Sequence, residues 1–240
     1  MELFYLFYSP KHYLLKQRTA ILLFSRSAKE EIAHKRFSFT SLRQSKNIVA
    51  KLIQQTSRIA RSSGLPVLHA DQQQGANFAE RLVYSIQKAF QSGYEQVIAI
   101  GNDTPKLNTD HLCQAEQALS QKDIVLGPSE DGGIYLLGLK KEFFEQLSFE
   151  QLSWQTAHLF TELIHFISQQ KWSFHTLEAL ADIDNAKDFF NFINKQLLYF
   201  AQILKSLLFR APIFPVPNMI FPTLATHSPF YQRPPPPIYF

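Results

Sequence analysis

The stretch QVIAIGNDTPKLNTDHLCQAEQALSQKDIVLGPSEDGGIYLLGL, residues 96–139, decides the fold. It contains three apolar runs of strand length, at 96–101, 123–127 and 134–139. A polar stretch long enough for a helix separates the first two runs, and a short glycine-bearing loop separates the last two. Alternation of short apolar strands with amphipathic helices is typical of a largely parallel sheet covered by helices. The sequence therefore predicts an α/β domain.

The flanking sequence extends the same alternation. Two more strand-like runs lie upstream, TAILLFS at 19–25 and PVLHA at 66–70, with a polar stretch at 27–63 that must hold helix and loop. Helices are predicted near 78–90, from about Thr109, and over 155–169, because apolar residues recur there at helical spacing. Asn77, followed three residues later by Glu80, predicts a capped start for the first of these helices.

Composition narrows the class of protein. The chain has 240 residues and a formal net charge of +4, with no run of basic residues of the kind that binds nucleic acid. A single cysteine, Cys113, excludes an internal disulfide framework and a cysteine-based zinc site, and its neighbours predict a core position for it. The N-terminus lacks the features of a signal peptide, and no run of about 18 apolar residues occurs. We therefore expect a cytoplasmic protein without a transmembrane segment.

The C-terminal region differs from the rest of the chain. Residues 189–209, FFNFINKQLLYFAQILKSLLF, form a strongly apolar helical pattern, and nine of the thirteen prolines follow them. Proline-rich sequence cannot form regular helix or central strand. We expect a domain over 1–190 and an apolar helix with a partly disordered tail over 191–240. Two interpretations of the helix remain open: packing on the domain or a partner, and contact with a membrane surface through 189–208.

A first candidate site follows the run at 96–101. Residues 101–105 are Gly-Asn-Asp-Thr-Pro, so Asp103 is expected at the carboxyl edge of the sheet, where open parallel sheets bind ligands. A carboxylate there can bind Mg²⁺ or Mn²⁺ together with substrate phosphates. The alternative is that Asp103 is a turn residue only.

A second candidate site is the loop Gly-Pro-Ser-Glu-Asp-Gly-Gly at 127–133. Its Asp131 and Gly132 are typical of a hairpin turn, which is the structural alternative. Adjacent glycines also allow close approach of backbone to a ligand and can direct amides at a phosphate. Two acidic loops at the ends of strands indicate a shared site more strongly than either does alone.

Residues 74–139, from the QGANFAER segment to the GPSEDGGIYLLGL segment, resemble the bacterial family of glycosyltransferase-like or selenodomain-associated transferases. That family is similar to phospholactate guanylyltransferase and to the broader GT-A nucleotidyltransferases. The resemblance covers about residues 19–190 and implies a GT-A, nucleotide-diphospho-sugar-transferase-like fold. It implies a metal-dependent transferase that uses a nucleotide-activated donor.

Roles for individual residues come from the same resemblance. Asp103 and Asp131 match the family's metal and catalytic aspartates, with Mg²⁺ or Mn²⁺ as the cofactor. Trp154 and Thr156 match an element on the acceptor side, and residues 182–184, Asp-Ile-Asp, match a closing motif. The residues that the resemblance places at the nucleotide are Arg26, Arg36, Gln74, Gly75, Gly101, Gly132 and Gly133.

The chain departs from the family pattern after its first strand. Relatives carry a loop with proline and glycine that would wrap phosphates, whereas residues 25–37 read SRSAKEEIAHKRF. Glu30 and Glu31 add negative charge where phosphate is expected, and the sequence favours a helix starting soon after the strand. A catalytically silent relative that binds a nucleotide or a protein partner is therefore the alternative function. The sequence decides neither between glycosyl and nucleotidyl transfer nor on the acceptor.

Overall fold

A computed structural model describes residues 18–26, 30, 42–70, 73–183, 187–188, 190–195 and 197–198. These residues form a six-stranded sheet in the order β2-β1-β3-β5-β4-β6. The strands are β1 (Thr19–Leu23), β2 (Val67–His69), β3 (Gln96–Ile100), β4 (Ile124–Pro128), β5 (Ile134–Lys140) and β6 (Phe174–Thr176).

The sheet is parallel except for β5, which lies between β3 and β4 and runs antiparallel to both. β1 pairs in parallel with β2 and β3, and β4 with β6. The loop at 129–133 joins β4 to β5 as a hairpin, as its Asp-Gly pair predicts. The five parallel strands β1, β2, β3, β4 and β6 therefore end at the edge of the sheet where β5 begins.

Five helices lie among the described elements. They are α1 (Leu42–Ser62), α2 (Phe78–Gln91), α3 (Thr109–Gln121), the short α4 (Lys141–Phe144) and α5 (Leu159–Gln169), with a 3₁₀ turn at Phe149–Gln151. The side chains of α1 and α3 pack with Ile21, Ile98 and Ile100 on one face of the sheet. Those of α2 and α5 pack with Leu22 and Val97 on the other face.

Burial on both faces explains why these strands are continuous apolar runs. All five residues of β1 and the last four of β3 are buried, because helices cover the sheet on both sides. Each large apolar side chain taken fully out of water stabilises the fold by roughly 1.5–3 kcal/mol. The predicted α/β architecture, a mostly parallel sheet with helices on both faces, is confirmed.

Two asparagines fix the starts of helices that border the site. The Asn77 side chain accepts a hydrogen bond from the Glu80 amide at the start of α2. Glu80 in turn accepts from the Ala76 amide and the Asn77 side chain, so it holds the preceding turn. At α3, Asn108 and His111 form a reciprocal capping box. Both caps anchor the loop that precedes the helix.

One prediction at element level needs a corrected boundary, and one is wrong. The helix predicted over 155–169 begins at Leu159, because Gln155 has a positive φ of 63° and the turn at 154–158 is held by its own hydrogen bonds. Cys113 is exposed instead of buried. The buried face of α3 consists of His111, Leu112, Ala115 and Leu119, and Cys113 lies about 100° around the helix from Leu112.

Contacts divide the chain into two compact units, residues 1–197 and 198–240. Helix is present at residues 187–188, 190–195 and 197–198, within the apolar pattern noted in the sequence. The proline-rich tail and most of the segment between β1 and α1, residues 27–29 and 31–41, lie outside the described residues. Among the helices that the structure describes, none combines the length and apolarity needed to cross a bilayer.

Candidate functional site

A cleft of about 1440 Å³ opens at the carboxyl edge of the sheet. It is lined by the ends of β1, β2 and β3, by the loop before β5, and by the first turns of α2 and α5. This is the edge at which open parallel sheets bind ligands, since loops and helix N-termini converge there. The described residues that carry charge in its lining are Arg26, Glu30, Arg81, Asp103, Asp131 and Asp182.

Asp103 reaches this cleft because β3 ends three residues before it. Gly101, the first residue after β3, has no side chain. A Cβ atom there would lie 2.9 Å from the Asp103 Oδ1 atom, so glycine leaves room for that carboxylate. The flanking Asn102 and Thr104 are buried, whereas Asp103 is half-buried. The Asp103 backbone carbonyl accepts a hydrogen bond of 2.8 Å from the Ile183 amide. The aspartate is therefore held on a fixed loop with its carboxylate in the cleft wall.

Asp131 lies in the tight turn between β4 and β5. Its Oδ1 atom accepts hydrogen bonds from the Ser129 hydroxyl at 2.6 Å and from the Gly133 amide at 3.0 Å. Gly132 has φ +93°, and its amide donates to the Ser129 carbonyl. The turn thus uses one carboxylate oxygen for its own structure, and the Oδ2 atom is the one that a ligand can take.

A third carboxylate, Asp182, also lines the cleft. Its Oδ1 atom accepts a hydrogen bond from the buried Thr104 hydroxyl, which belongs to the Asp103 loop. Asp182 was noted in the sequence only as part of the closing Asp-Ile-Asp motif and not among the site residues. That motif was the available signal. Its second aspartate, Asp184, lies outside the described residues.

Negative charge exceeds positive charge among the described lining residues. Four carboxylates face two guanidinium groups, those of Arg26 and Arg81. Behind the carboxylates, burial together with the charges of Glu178 and Asp182 raises the pKa of Tyr135 far above its ordinary value. A polyanionic ligand would be repelled by this lining unless a cation entered with it.

Only some of the residues predicted to bind the nucleotide line the cleft. Arg26, Gly101 and Gly133 line the cleft, whereas Gln74, Gly75 and Gly132 are not part of its lining. Arg36 lies outside the described residues. The amides of Gly101, Gly132 and Gly133 donate to Tyr135, Ser129 and Asp131 respectively. These glycines can bring backbone close to a ligand, but their amides are already engaged.

The sequence placed Arg81 in a segment that matches the family, with an exposed helix face as the alternative, but not among the site residues. In the structure Arg81 lies in the first turn of α2 and lines the cleft. Its Nη1 atom donates weakly to the Gly75 and Ala76 carbonyls, both at 3.5 Å. Its Nε atom is buried and lacks a hydrogen-bond partner within the described part of the chain. The signal for this residue was the QGANFAER segment, residues 74–81, in which Gln74, Gly75, Glu80 and Arg81 match the family that the chain resembles.

Trp154 and Thr156, predicted for the acceptor side, both line the cleft. The Trp154 indole stacks on Phe149 at 5.8 Å between ring centroids, and its Nε1 atom donates to the Phe149 carbonyl at 2.7 Å. Thr156 donates its hydroxyl to the Ser153 carbonyl at 2.7 Å. The core-packing and cleft-lining interpretations of Trp154 therefore both apply, since one face packs and part of the ring borders the cleft.

The donor chemistry of the cleft fits a hard divalent cation. Its carboxylates provide oxygen ligands, which Mg²⁺ and Mn²⁺ prefer. Within the described residues, no three His, Cys, Asp or Glu side chains are grouped as a complete metal site. An ion here would therefore take one or two protein carboxylates and complete its coordination with substrate phosphates and water, as Mg²⁺ commonly does.

Sequence comparison matches residues 40–156 to a family described as an uncharacterized protein conserved in bacteria (DUF2064). The search of curated proteins found no match to the chain. The matched stretch contains α1 through the turn before α5, and it includes Asp103 and Asp131. The GT-A-like fold that the resemblance implies is confirmed by the structural comparison.

Solved structures with the same fold include a protein from Desulfovibrio desulfuricans G20, provisionally described as a nucleotide-diphospho-sugar transferase. The TM-score is 0.56 at 19% identity, covering 70% of this chain and 83% of that one. Less similar solved structures include 4-diphosphocytidyl-2C-methyl-D-erythritol synthase from Anaerococcus prevotii DSM 20548 and the manganese complex of Rv0371C from Mycobacterium tuberculosis H37Rv. For the synthase the TM-score is 0.47 at 9% identity, covering 76% of this chain and 99% of that one. For the manganese complex the TM-score is 0.40 at 13% identity, covering 73% of this chain and 97% of that one.

Proposed function

We propose that this protein is a metal-dependent transferase that binds a nucleotide-activated donor in the cleft at the carboxyl edge of its sheet. One observation carries the proposal: Asp103 and Asp131, from different loops, line the same cleft. The shared fold with the Desulfovibrio protein supports the nucleotide class of donor.

Carboxylates outnumber guanidinium groups in the described lining, so a metal ion would supply the positive charge that a phosphate-bearing donor needs. A divalent ion, when bound, would neutralise charge on the donor phosphates and on the leaving group. Asp103 and the free Oδ2 atom of Asp131 are the groups that would hold it, with Asp182 as a third oxygen source. Arg26 would contribute positive charge to the phosphates from the end of β1.

The aromatic side of the cleft is the proposed acceptor side. Phe78 packs against Trp154 at 5.5 Å and against Phe24 at 5.4 Å between ring centroids, which gives that wall a fixed apolar surface. Thr156 and Gln155 add polar groups beside it. A bound donor would present its transferred group between this wall and the carboxylates, where bulk water is partly excluded.

A second candidate function is that of a silent relative that binds a nucleotide without turning it over. The observation in its favour is Glu30, which lines the cleft near the end of β1. A carboxylate at this position opposes phosphate binding, whereas relatives are expected to have a phosphate-wrapping loop there. Binding and turnover must therefore be measured separately.

Thermal-shift measurements with nucleoside triphosphates and nucleotide sugars, each with and without Mg²⁺, test the proposal. A ligand at 100 times its Kd stabilises the native state by about 2.7 kcal/mol. We expect a Mg²⁺-dependent shift with one nucleotide class, and we expect D103N and D131N each to lose most of it. D110N makes the same charge change at an exposed position on α3 outside the cleft and should keep the shift.

The outcomes distinguish the two functions. A metal-dependent shift accompanied by hydrolysis or transfer of the donor supports the transferase, and the same shift without turnover supports the silent relative. No metal-dependent shift with any nucleotide, or an undiminished shift in both D103N and D131N, would contradict the proposed site.

A further inference from the structure

Residues 177–183, named here the closing segment, follow β6 and run along the carboxyl edge of the sheet. Its Leu180 amide donates to the Pro128 carbonyl at 3.1 Å, and its Leu180 carbonyl accepts from the Glu130 amide at 2.9 Å. Three residues later, the Ile183 amide donates to the Asp103 carbonyl at 2.8 Å. The closing segment is therefore hydrogen-bonded both to the loop that carries Asp131 and to the loop that carries Asp103.

Two buried side chains hold the start of this segment at Glu178. The Tyr135 hydroxyl donates to the Glu178 backbone carbonyl at 3.1 Å, and the His111 Nε2 atom lies 2.7 Å from the Glu178 carboxylate. His111 Nδ1 accepts from the Asn108 amide at 3.1 Å, so the ring proton must be on Nε2, which donates to Glu178. Since His111 and Tyr135 lie on α3 and β5, rigid elements set the position of Glu178.

The end of the segment is held at Asp182. The Thr104 hydroxyl donates to Asp182 Oδ1, and Thr104 is only 4% exposed, directly after Asp103. A buried hydroxyl with one carboxylate partner fixes the orientation of that carboxylate, because breaking the bond would leave a buried polar group unpaired. Asp182 is thereby oriented by the same loop that carries Asp103.

From these contacts we infer that Thr104 and the His111–Glu178 pair are positioning residues for the proposed metal centre. Acting through the closing segment, they fix the Asp182 carboxylate and hold the Asp103 and Asp131 loops at a constant separation. The inference rests on the proposed function, since it assigns these residues to the same metal site. Partners of this kind typically change metal affinity by about 10–100-fold when removed.

Mn²⁺ binding to the 240-residue chain, measured by the electron paramagnetic resonance signal of free Mn²⁺, tests the inference without requiring turnover. Thr104→Val keeps the approximate volume and removes the hydroxyl, whereas Thr104→Ser keeps the hydroxyl. We expect T104V to weaken Mn²⁺ affinity about tenfold or more and T104S to stay within about threefold of the parent. A thermal melt of each variant reports whether the fold is retained.

The Glu178 carboxylate provides a second pair of variants, in case T104V fails to fold. The Glu178 side chain is 69% exposed, so its replacement leaves the core intact. Glu178→Ala removes the acceptor for His111, and Glu178→Gln keeps a carbonyl oxygen that can accept the same hydrogen bond. We expect E178A to weaken Mn²⁺ binding several-fold and E178Q to restore it.

Each result decides something. Weaker binding in T104V and E178A, with T104S and E178Q close to the parent and melting temperatures retained, supports the inference. Parent-like affinity in E178A, together with parent-like affinity in a folded T104V, overturns it while leaving the metal site in place. Absence of Mn²⁺ binding by the parent chain, both alone and together with the nucleotides of the thermal-shift screen, overturns the inference and the proposed metal centre together, which distinguishes that failure from the previous one.

Discussion

Tyr135 shows how a single buried side chain behind the cleft makes the protein sensitive to alkaline pH. It is 2% exposed, and burial, followed by the charges of Glu178 and Asp182, raises the pKa of its hydroxyl far above the ordinary value of about 10. The folded chain therefore keeps this proton at pH values where the unfolded chain has lost it. The stabilisation is complete below about pH 10 and is lost as pH rises above that value.

We predict that Tyr135→Phe flattens the alkaline limb of the stability curve. The contribution of this group should reach a slope of about 1.4 kcal/mol per pH unit above pH 10. At pH 7 the variant should be about 1 kcal/mol less stable, because the Glu178 carbonyl loses its donor. Denaturant unfolding between pH 7 and 11 measures both effects.

Tyr94→Phe is the control for this experiment, since it removes the same hydroxyl group at a half-buried position, whereas Tyr135 is 2% exposed. Its stability curve should run parallel to that of the parent. Parallel curves for Y135F and the parent above pH 10 would show that Tyr135 already ionises in the folded protein.

At the scale of elements, the sequence predicted the strands and helices better than their arrangement. The runs around Ile98 and Leu126 are strands because helices cover both faces of the sheet, and that leaves a clear apolar signal. The insertion of β5 between β3 and β4 left no such signal, because strand order depends on pairing between distant segments. The aspartates Asp103 and Asp131 were found for the same local reason, since each follows or precedes a strand.

The parts of the site that were missed depend on long-range hydrogen bonds. Asp182 belongs to the cleft because its segment bonds to loops 50 to 80 residues earlier in the chain. Gln74 and Gly75 were assigned to the nucleotide by resemblance, but neither lines the cleft, and that assignment stays a prediction. The hydrogen bonds that the glycine amides make inside the 129–133 turn could not be predicted either, because the partners of an amide depend on the folded geometry of the turn.

The contact between the β4–β5 turn and α5 allows a prediction at this scale. Gly132 has φ +93°, and a Cβ there would lie 2.1 Å from the Ala157 carbonyl oxygen, while its own carbonyl accepts from the Phe160 amide at 3.0 Å. Gly132→Ala must therefore displace either the turn or the start of α5. We expect a loss of about 3 kcal/mol or more in the free energy of unfolding, and weaker metal-dependent nucleotide binding.

The loss in Gly132→Ala has two causes, the strain of a positive φ and the clash with Ala157, and Gly64→Ala tests the strain alone. Gly64 also has a positive φ of 79°, but a Cβ there would meet nothing within 4 Å. Its replacement by alanine should cost only the backbone strain, about 1–2 kcal/mol. Urea unfolding of both variants measures the difference, and equal losses would mean that the Ala157 contact is relieved without cost.

At the scale of the whole molecule, the positive charge and the acidic cleft are separate properties. The chain carries a formal net charge of +4, yet the described lining of the cleft holds four carboxylates and two guanidinium groups. Because interactions between exposed charges are screened beyond about 10 Å at 0.1 M salt, the distant lysines do little to offset the cleft locally. A cation carried in with the ligand is therefore the more direct source of neutralisation.

The compact unit that contains the cleft should fold without the proline-rich tail. The buried members of the three apolar clusters all lie between Ile21 and Ile183. They therefore belong to the first of the two compact units, residues 1–197. The tail has no periodic apolar pattern, so it is expected to contribute little to these clusters.

A chain ending at Arg210 should therefore unfold cooperatively, with a midpoint in urea within about 10% of the full chain. It should also keep the Mg²⁺-dependent nucleotide shift of the full chain. Circular dichroism during urea unfolding provides the measurement, and a chain ending at Ile167, which removes the closing segment and β6, is the control expected to lose cooperativity. If the chain ending at Arg210 also lost its cooperative transition, the tail would have to be part of the folded unit.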